Sequence, residues 1–506
     1  MSLPKINYIN TGRDGMLDGT TEQDIDAMFD ALKAQSKVVL HFHGGLVSRA
    51  AGMAGAERLK TECYDGSGAH PVFFVWESGL LEVVRHNLRE IFGEDIFKIL
   101  LKWLLKYASA KLEAGGAKSP LLAVPPDIEI YKELVKLDAG KEPFSDFEVD
   151  AGISEISEAE QDAFEAEMGR DADFQETVQA IVNAIVPEEQ TSGAKGIVIR
   201  TRHSMRTLMS PEVVEQLKSD VDNAKSGGQA KGIFSTAALI KKAAVILIRV
   251  VRRFVQKRDH GLYPTVVEEI LREFYVANIG TKIWGAMKQE TADTFQTGGT
   301  TRGGDYFTRK LSELLAGGYR PQITLVGHSA GSVFINNLLT HIRKMQAGGD
   351  KPIPADFKFR NIIFLAPACT FEHFQPTVKA NRNLFDSFRM FTMTDKAESD
   401  DSLVPYIYTR SLLYFISGVL EPDAKGGVDF DKPIVGMQRY HNRPAVYSFP
   451  EVVAGRDFVA GITSGVVWSP TTAPWPPGLG TASLSHSDFD NDVFTLDSIR
   501  HIIKTS

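Results

Sequence analysis

The sequence predicts an α/β fold: a mostly parallel sheet with helices on both faces, interrupted by a large helical insertion. Three observations predict it. First, several apolar, β-branched runs lack polar alternation: KVVLHFH (37–43), HPVFFVW (70–76), QITLVG (322–327), NIIFLAP (361–367) and SFRMFTMT (387–394). Strands covered on both faces read this way. Second, segments with helical spacing lie between them; strand–helix–strand order implies parallel pairing. Third, this rhythm stops near residue 85 and resumes near residue 300.

In chain order, KINYIN (5–10) is a short strand, TEQDIDAMFDALKAQ (21–35) a helix, 37–43 a strand, 52–62 a helix and 70–76 a strand. Long helical patterns then dominate. Residues 146–176 carry twelve acids and one base, Arg170, which reads as a solvated face or loop. Residues 231–258 carry eight Lys or Arg and no acid, and GIVIRTR (196–202) is a lone strand candidate. After 300 follow a helix at 305–318, a strand at 322–327, a helix at 332–346 and strands at 361–367 and 387–394. The simplest division is 1–85 and 301–506 as two parts of one α/β core, with 86–300 as a helical cap or lid; two sequential domains is the alternative. The Gly-, Pro-, Ser- and Thr-rich stretch 464–484 is expected to be a surface loop with no regular element.

Composition narrows the function classes. The chain has 506 residues, 43% hydrophobic and 24% charged, so it is neither disordered nor fibrous. Its net charge of −8 argues against general nucleic-acid binding. Two cysteines, Cys63 and Cys369, are too few for a disulfide framework. The opening MSLPKINYIN has no signal-peptide pattern, and no apolar run is long enough to span a bilayer. A cytoplasmic protein is expected, with peripheral membrane contact left open.

Gly327-His328-Ser329-Ala330-Gly331 fits G-x-S-x-G. Five letters are a weak signal, but an apolar β run leads in and an amphipathic helix leads out, the setting this motif needs. A serine on such a turn stands above the sheet in a strained conformation, and the glycines allow strand and helix to approach. Its hydroxyl then lies at a helix N-terminus, where negative charge is favoured. The bland alternative is an ordinary strand–helix turn with a serine cap.

With these residues the sequence resembles the α/β-hydrolase superfamily, its lipase and esterase branches above all, over about 1–85 and 300–506. The resemblance implies a nucleophile at Ser329, then an acid, then a histidine. It also implies an oxyanion hole. His43-Gly44-Gly45 is similar to the family's His-Gly turn and assigns one N–H to Gly45; Ala330, after the nucleophile, supplies the second. Leu46 stands where the fuller HGGG form has a fourth-place glycine. Of the histidines after Ser329 (His341, His373, His441, His486 and His501), His486 sits in a polar loop ahead of the last helix, the family's placement for the base. Asp401-Ser-Leu-Val-Pro405 looks like the turn around the family's acid, so Asp401 is favoured, then Asp395, then Asp400.

Asp488, Asp490 and Asp492 lack the Gly and Glu of a calcium loop and read as an acidic cluster at a helix start. No zinc spacing, P-loop or dinucleotide fingerprint occurs, so no metal or organic cofactor is implied. Helices at 95–112 and 236–258 each have a broad apolar face and a basic stripe, which suits a packed cap or a lipid interface. The expectation is a serine hydrolase cleaving carboxylic esters of apolar or lipid-like substrates. The alternatives are an inactive scaffold binding membrane or protein partners, and an amidase or peptidase using the same residues.

Overall fold

Seven strands form one all-parallel sheet in the order β1-β3-β2-β4-β5-β6-β7. They are β1 (Tyr8–Thr11), β2 (Lys37–Phe42), β3 (His70–Trp76), β4 (Gln322–His328), β5 (Phe359–Leu365), β6 (Phe385–Met393) and β7 (Val466–Ser469). The computed structural model describes residues 3–45, 48–76, 80–113, 124–185, 207–226, 231–276, 280–298, 301–348, 352–421 and 431–506. The strand candidate at 196–202 lies outside the described residues.

Helices that flank the sheet or pack beside it include α1 (Glu22–Leu32), α2 (Arg49–Leu59), α3 (Asp95–Glu113), α4 (Lys231–Val255), α5 (Leu262–Ile270), α6 (Thr281–Asp293), α7 (Gly303–Ala316), α8 (Gly331–Ala347) and α9 (Val493–Thr505). Alternate residues of β2 explain how they layer. Val38, Leu40 and Phe42 pack with Ile25 and Phe29 of α1, Phe307 of α7 and Val333 of α8. Val39 faces the other way, into a second cluster with Ala56 and Leu59 of α2 and Leu496, Ile499 and Ile503 of α9. Both faces are therefore covered, which is why the strands read as continuous apolar runs.

Helices α3 to α7 all fall between β3 and β4 in sequence. The apolar faces of α3 and α4 are used in packing: Phe97, Leu100, Leu104, Leu105, Leu247, Val250 and Val251 are all buried. A charged cluster ties this region to the C-terminal part. Arg253 of α4 is fully buried, 2.8 Å from Glu268 and 3.1 Å from Glu269 of α5. Arg258 Nε donates to Asp431 at 2.6 Å, and the Tyr440 and Tyr447 hydroxyls donate to the same carboxylate.

One expectation is corrected. Residues 464–484 contain β7, which pairs with β6, and Ser469, Thr481 and Ser483 are buried. A four-residue strand at the sheet edge needs only the short run Val-Val-Trp-Ser. The Ser and Thr side chains bind one another and the main chain, with Ser469 Oγ donating to the Ser483 carbonyl at 2.6 Å and Thr481 Oγ1 to Ser469 Oγ at 3.1 Å. The composition that suggested a solvated loop in fact supplies an internal hydroxyl network. His441 lies in a short helix, Gln438–Asn442.

Candidate active site

The strand order reverses between β2 and β4, and the chain leaving the carboxyl ends of these neighbours forms the crevice where open parallel sheets bind ligands. Two sequence-predicted segments meet there: Gly44-Gly45 after β2 and Ser329 after β4.

Ser329 has φ +51°, a left-handed conformation uncommon for a non-glycine residue. The surroundings hold it there. Its N–H donates to Leu365 O at 2.8 Å, and its carbonyl accepts from Ala368 N at 3.1 Å and from Ser332 Oγ at 2.6 Å. The flanking glycines are required by contact. A Cβ on Gly331 would lie 2.1 Å from Phe42 O, and one on Gly327 would lie 2.8 Å from the Gly331 carbonyl.

His486 Nε2 lies 2.9 Å from Ser329 Oγ. Burial pushes the imidazole down to about 3, with His328 adding to the drop and Asp490 opposing it. It is therefore neutral near pH 7 and able to accept a proton. The other histidines after Ser329 are engaged elsewhere or distant: His341 with Thr308, His373 with Asn336, His441 with Val435 O, and His501 on α9.

Of the candidate acids, only Asp401 meets His486, and it does so through the main chain: the His486 backbone N–H donates to Asp401 Oδ2 at 2.9 Å. The expected carboxylate contact with the ring is absent, and Nδ1 is buried without a partner. Burial raises the Asp401 pKa, and the hydrogen bond from His486 opposes the rise. Asp395 accepts from the Tyr414 hydroxyl at 2.7 Å, and Asp400 pairs with Lys396 at the surface.

The Gly44-Gly45 turn abuts Ser329. A Cβ on Gly44 would be 3.4 Å from Ser329 Cβ, and one on Gly45 would be 2.8 Å from Ala330 Cβ and 2.1 Å from Met287 Sδ of α6. His43 fixes this turn. Its Nε2 accepts from Trp76 N–H at 3.1 Å, so its Nδ1–H donates to Gly44 O at 2.6 Å. In a trans peptide the next N–H points opposite to that carbonyl, so holding Gly44 O also sets the direction of the Gly45 N–H. Burial lowers the His43 pKa to about 4, keeping the ring neutral.

Sequence reasoning missed two participants. His328 Nε2–H donates to His486 O at 3.0 Å, and Asp490 Oδ2 stands 3.8 Å from His328 Nδ1. Burial works against charge on His328, but Asp490 outweighs it and raises the pKa. Burial likewise opposes charge on Asp490, yet His328 and Arg58 bring it down to about 2. The signals were the variable His of the Gly-His-Ser motif and the Asp four residues after His486. The acidic cluster was read correctly for Asp492, which caps α9 by accepting from Thr495 N.

A cavity of about 300 Å³ opens beside Ser329 and His486 and runs between α2 and the sheet. Among the described residues no group of three or more His, Cys, Asp and Glu is placed to hold a metal ion, and no helix is long and apolar enough to cross a membrane. In comparisons with known proteins the chain matches no family model, no curated protein and no solved structure.

Proposed function

We propose that the chain is a serine hydrolase of the α/β-hydrolase type that cleaves carboxylic esters with an apolar acyl group. The observation that carries the reading is the 2.9 Å contact between Ser329 Oγ and His486 Nε2, made on a left-handed strand-to-helix turn. A nucleophile within hydrogen-bond reach of a neutral base is the arrangement that activates a hydroxyl.

The chemistry runs in two halves. Ser329 Oγ gives its proton to His486 Nε2 as it attacks the ester carbonyl. The Gly45 and Ala330 N–H groups hold the oxyanion, a contribution of several kcal/mol for two donors. The carbon–oxygen bond to the alcohol breaks, and His486 returns the proton to the leaving oxygen. Water then gives a proton to His486, attacks the acyl-enzyme and releases the acid, restoring the Ser329 hydroxyl.

Asp401 anchors the His486 main chain and places a carboxylate beside the residue that becomes positive. His328 and Asp490 hold it from the other side. The helices between β3 and β4 serve in this reading as a cap, and Met287 of α6, pressed on Gly45, is its contact with the oxyanion turn.

The test is labelling with a small fluorophosphonate, alongside hydrolysis of soluble aryl esters. The wild type should be labelled and active, and Ser329→Ala should be neither. A folded wild type that neither labels nor turns over ends the proposal.

A further inference from the structure

The cavity beside Ser329 has walls of unequal chemistry. On one side the face of α2 presents Ala51, Gly52, Gly55 and Ala56; on the other stand Phe73 and Val75 of β3. Gly55 leaves real space, since a Cβ built there meets nothing within 4 Å. Gly52, by contrast, is needed for contact: its Cβ would lie 3.1 Å from Val75 and 3.2 Å from His43.

The charged groups lining this space satisfy each other. Arg58 donates to Asp490 O at 2.7 Å and lies 3.8 Å from its carboxylate, which also faces His328. A ligand with a free charge at its end finds no unpaired partner there.

Besides His486, whose Nδ1 is also unpartnered, one buried polar group remains. His41 lines the cavity and is buried, and its Nδ1 is 2.8 Å from the Tyr64 hydroxyl, but its Nε2 has no partner. In the sheet His41 pairs with Val326, three residues before Ser329, so it sits about 10 Å deeper along the strand direction. Burial pushes its pKa down to about 3 and keeps the ring neutral. If Tyr64 donates to Nδ1, then Nε2 carries a proton; if Nδ1 donates, Nε2 is an acceptor. A hydroxyl answers either form, since it both donates and accepts.

We infer that this cavity receives the acyl chain of the ester, with Gly55 setting the length it admits and His41 selecting chains that carry a hydroxyl group. The inference rests on the hydrolase reading of Ser329. The acyl part is assigned here because it stays attached to Oγ while the alcohol departs, and a cavity walled by sheet and helix suits the part that stays.

The experiment uses the full chain and aryl esters of acetate, hexanoate and hexanoates with one hydroxyl stepped along the chain. In the wild type one hydroxyl position raises kcat/KM over plain hexanoate by about tenfold or more, the discrimination expected of a buried group built to pair. His41→Phe erases that preference. Gly55→Leu, at a helix position that favours a side chain, lowers the hexanoate-to-acetate ratio by about tenfold.

If no hydroxyl position helps, or if His41→Phe keeps the preference, His41 is not the selecting group. The wild-type series decides this point alone should His41→Phe not fold. If Gly55→Leu leaves the ratio unchanged, the chain lies elsewhere. Fluorophosphonate labelling separates the two layers: a labelled enzyme with flat ratios overturns only this inference, and an unlabelled one overturns the reading of Ser329 beneath it.

Discussion

Replacing Gly331 with alanine adds one methyl group at the point where α8 meets β2. The new Cβ would lie 2.1 Å from Phe42 O, 2.9 Å from Phe42 C and 3.2 Å from His43 O. Ordinary contact begins near 3.4 Å, so helix and strand must part by roughly 1.3 Å. All three atoms are main chain and cannot swing aside as a side chain would. Overpacking of this kind costs about 1–3 kcal/mol. The displacement also moves Ala330, the N-cap of α8, away from Gly45 on the β2 side, and a misplacement of about 1 Å at a reacting centre costs about a hundredfold in rate. Urea unfolding followed by tryptophan fluorescence reads the stability, and ester turnover with fluorophosphonate labelling reads the site. Gly285→Ala is the control: Gly285 is exposed within α6, its Cβ meets nothing within 4 Å, and alanine there should stabilise by about 0.5–1 kcal/mol. A Gly331→Ala protein with wild-type midpoint and turnover would refute the reasoning, because it would mean that strand and helix do not approach as described.

Two further outcomes follow from the site. Under the hydrolase reading, Asp401→Asn keeps an oxygen for the His486 N–H but removes the charge beside the imidazole, and kcat should fall by at least about a hundredfold. Asp490→Asn should lower kcat by about tenfold with KM little changed, whereas His328→Gln, which retains an N–H donor, should keep more activity than His328→Leu; equal loss in those two His328 variants would refute the positioning role. The second outcome concerns acid. His41, His43, His341, His373, His441 and His486 are each lowered by burial to about 3 or 4 from 6.5. The unfolded chain therefore binds protons first, so stability is fully present above pH 6.5 and is lost as pH falls from there toward 4. Each group contributes about 1–2 kcal/mol of loss between about pH 7 and pH 5. His328, Glu398 and Asp401, whose pKa values are raised, act in the opposite sense. The urea midpoint should drop steeply over that range, and a flat profile would contradict the burial of these rings.

The strands and the turn at Ser329 were legible because their causes are local. Runs such as Val-Val-Leu-His-Phe leave no polar face, and a glycine on each side of His328-Ser329-Ala330 is demanded by contacts within the turn and with β2. That His486 reaches Ser329 was legible from its place ahead of the final helix. Its carboxylate neighbour was less so. Asp395, Asp400 and Asp401 crowd one segment, and which of them faces His486 depends on how a short helix, Asp395–Asp400, ends. His328 and Asp490 were visible only as a His inside the motif and an Asp four residues after His486; their pairing was not legible, since one ends β4 and the other lies 162 positions later in the chain, on a loop that only the fold brings beside it. For β7, composition pointed the wrong way: Ser and Thr looked like solvent-facing residues, yet their hydroxyls are spent on one another inside the protein.

Helix α4 shows why amphipathic pattern alone does not decide between a packed cap and a lipid interface. Both need a wide apolar face with basic residues beside it. What distinguishes them is whether acids from elsewhere in the chain are already matched to the bases. Here they are: Lys242 and Arg249 meet Glu273, Arg252 meets Glu155, and Arg253 meets Glu268 and Glu269. Glu155 lies in the acidic stretch 146–176 and the other acids in the segment that follows α4, so the Arg252–Glu155 pair joins two oppositely charged tracts that looked separate. Arg253 points inward, not toward solvent, and is balanced where no water reaches it. Removing one member of such a buried pair costs about 3–5 kcal/mol, because the other charge is stranded. The basic stripe thus serves packing first, and a membrane would have to compete with these internal partners for the same side chains.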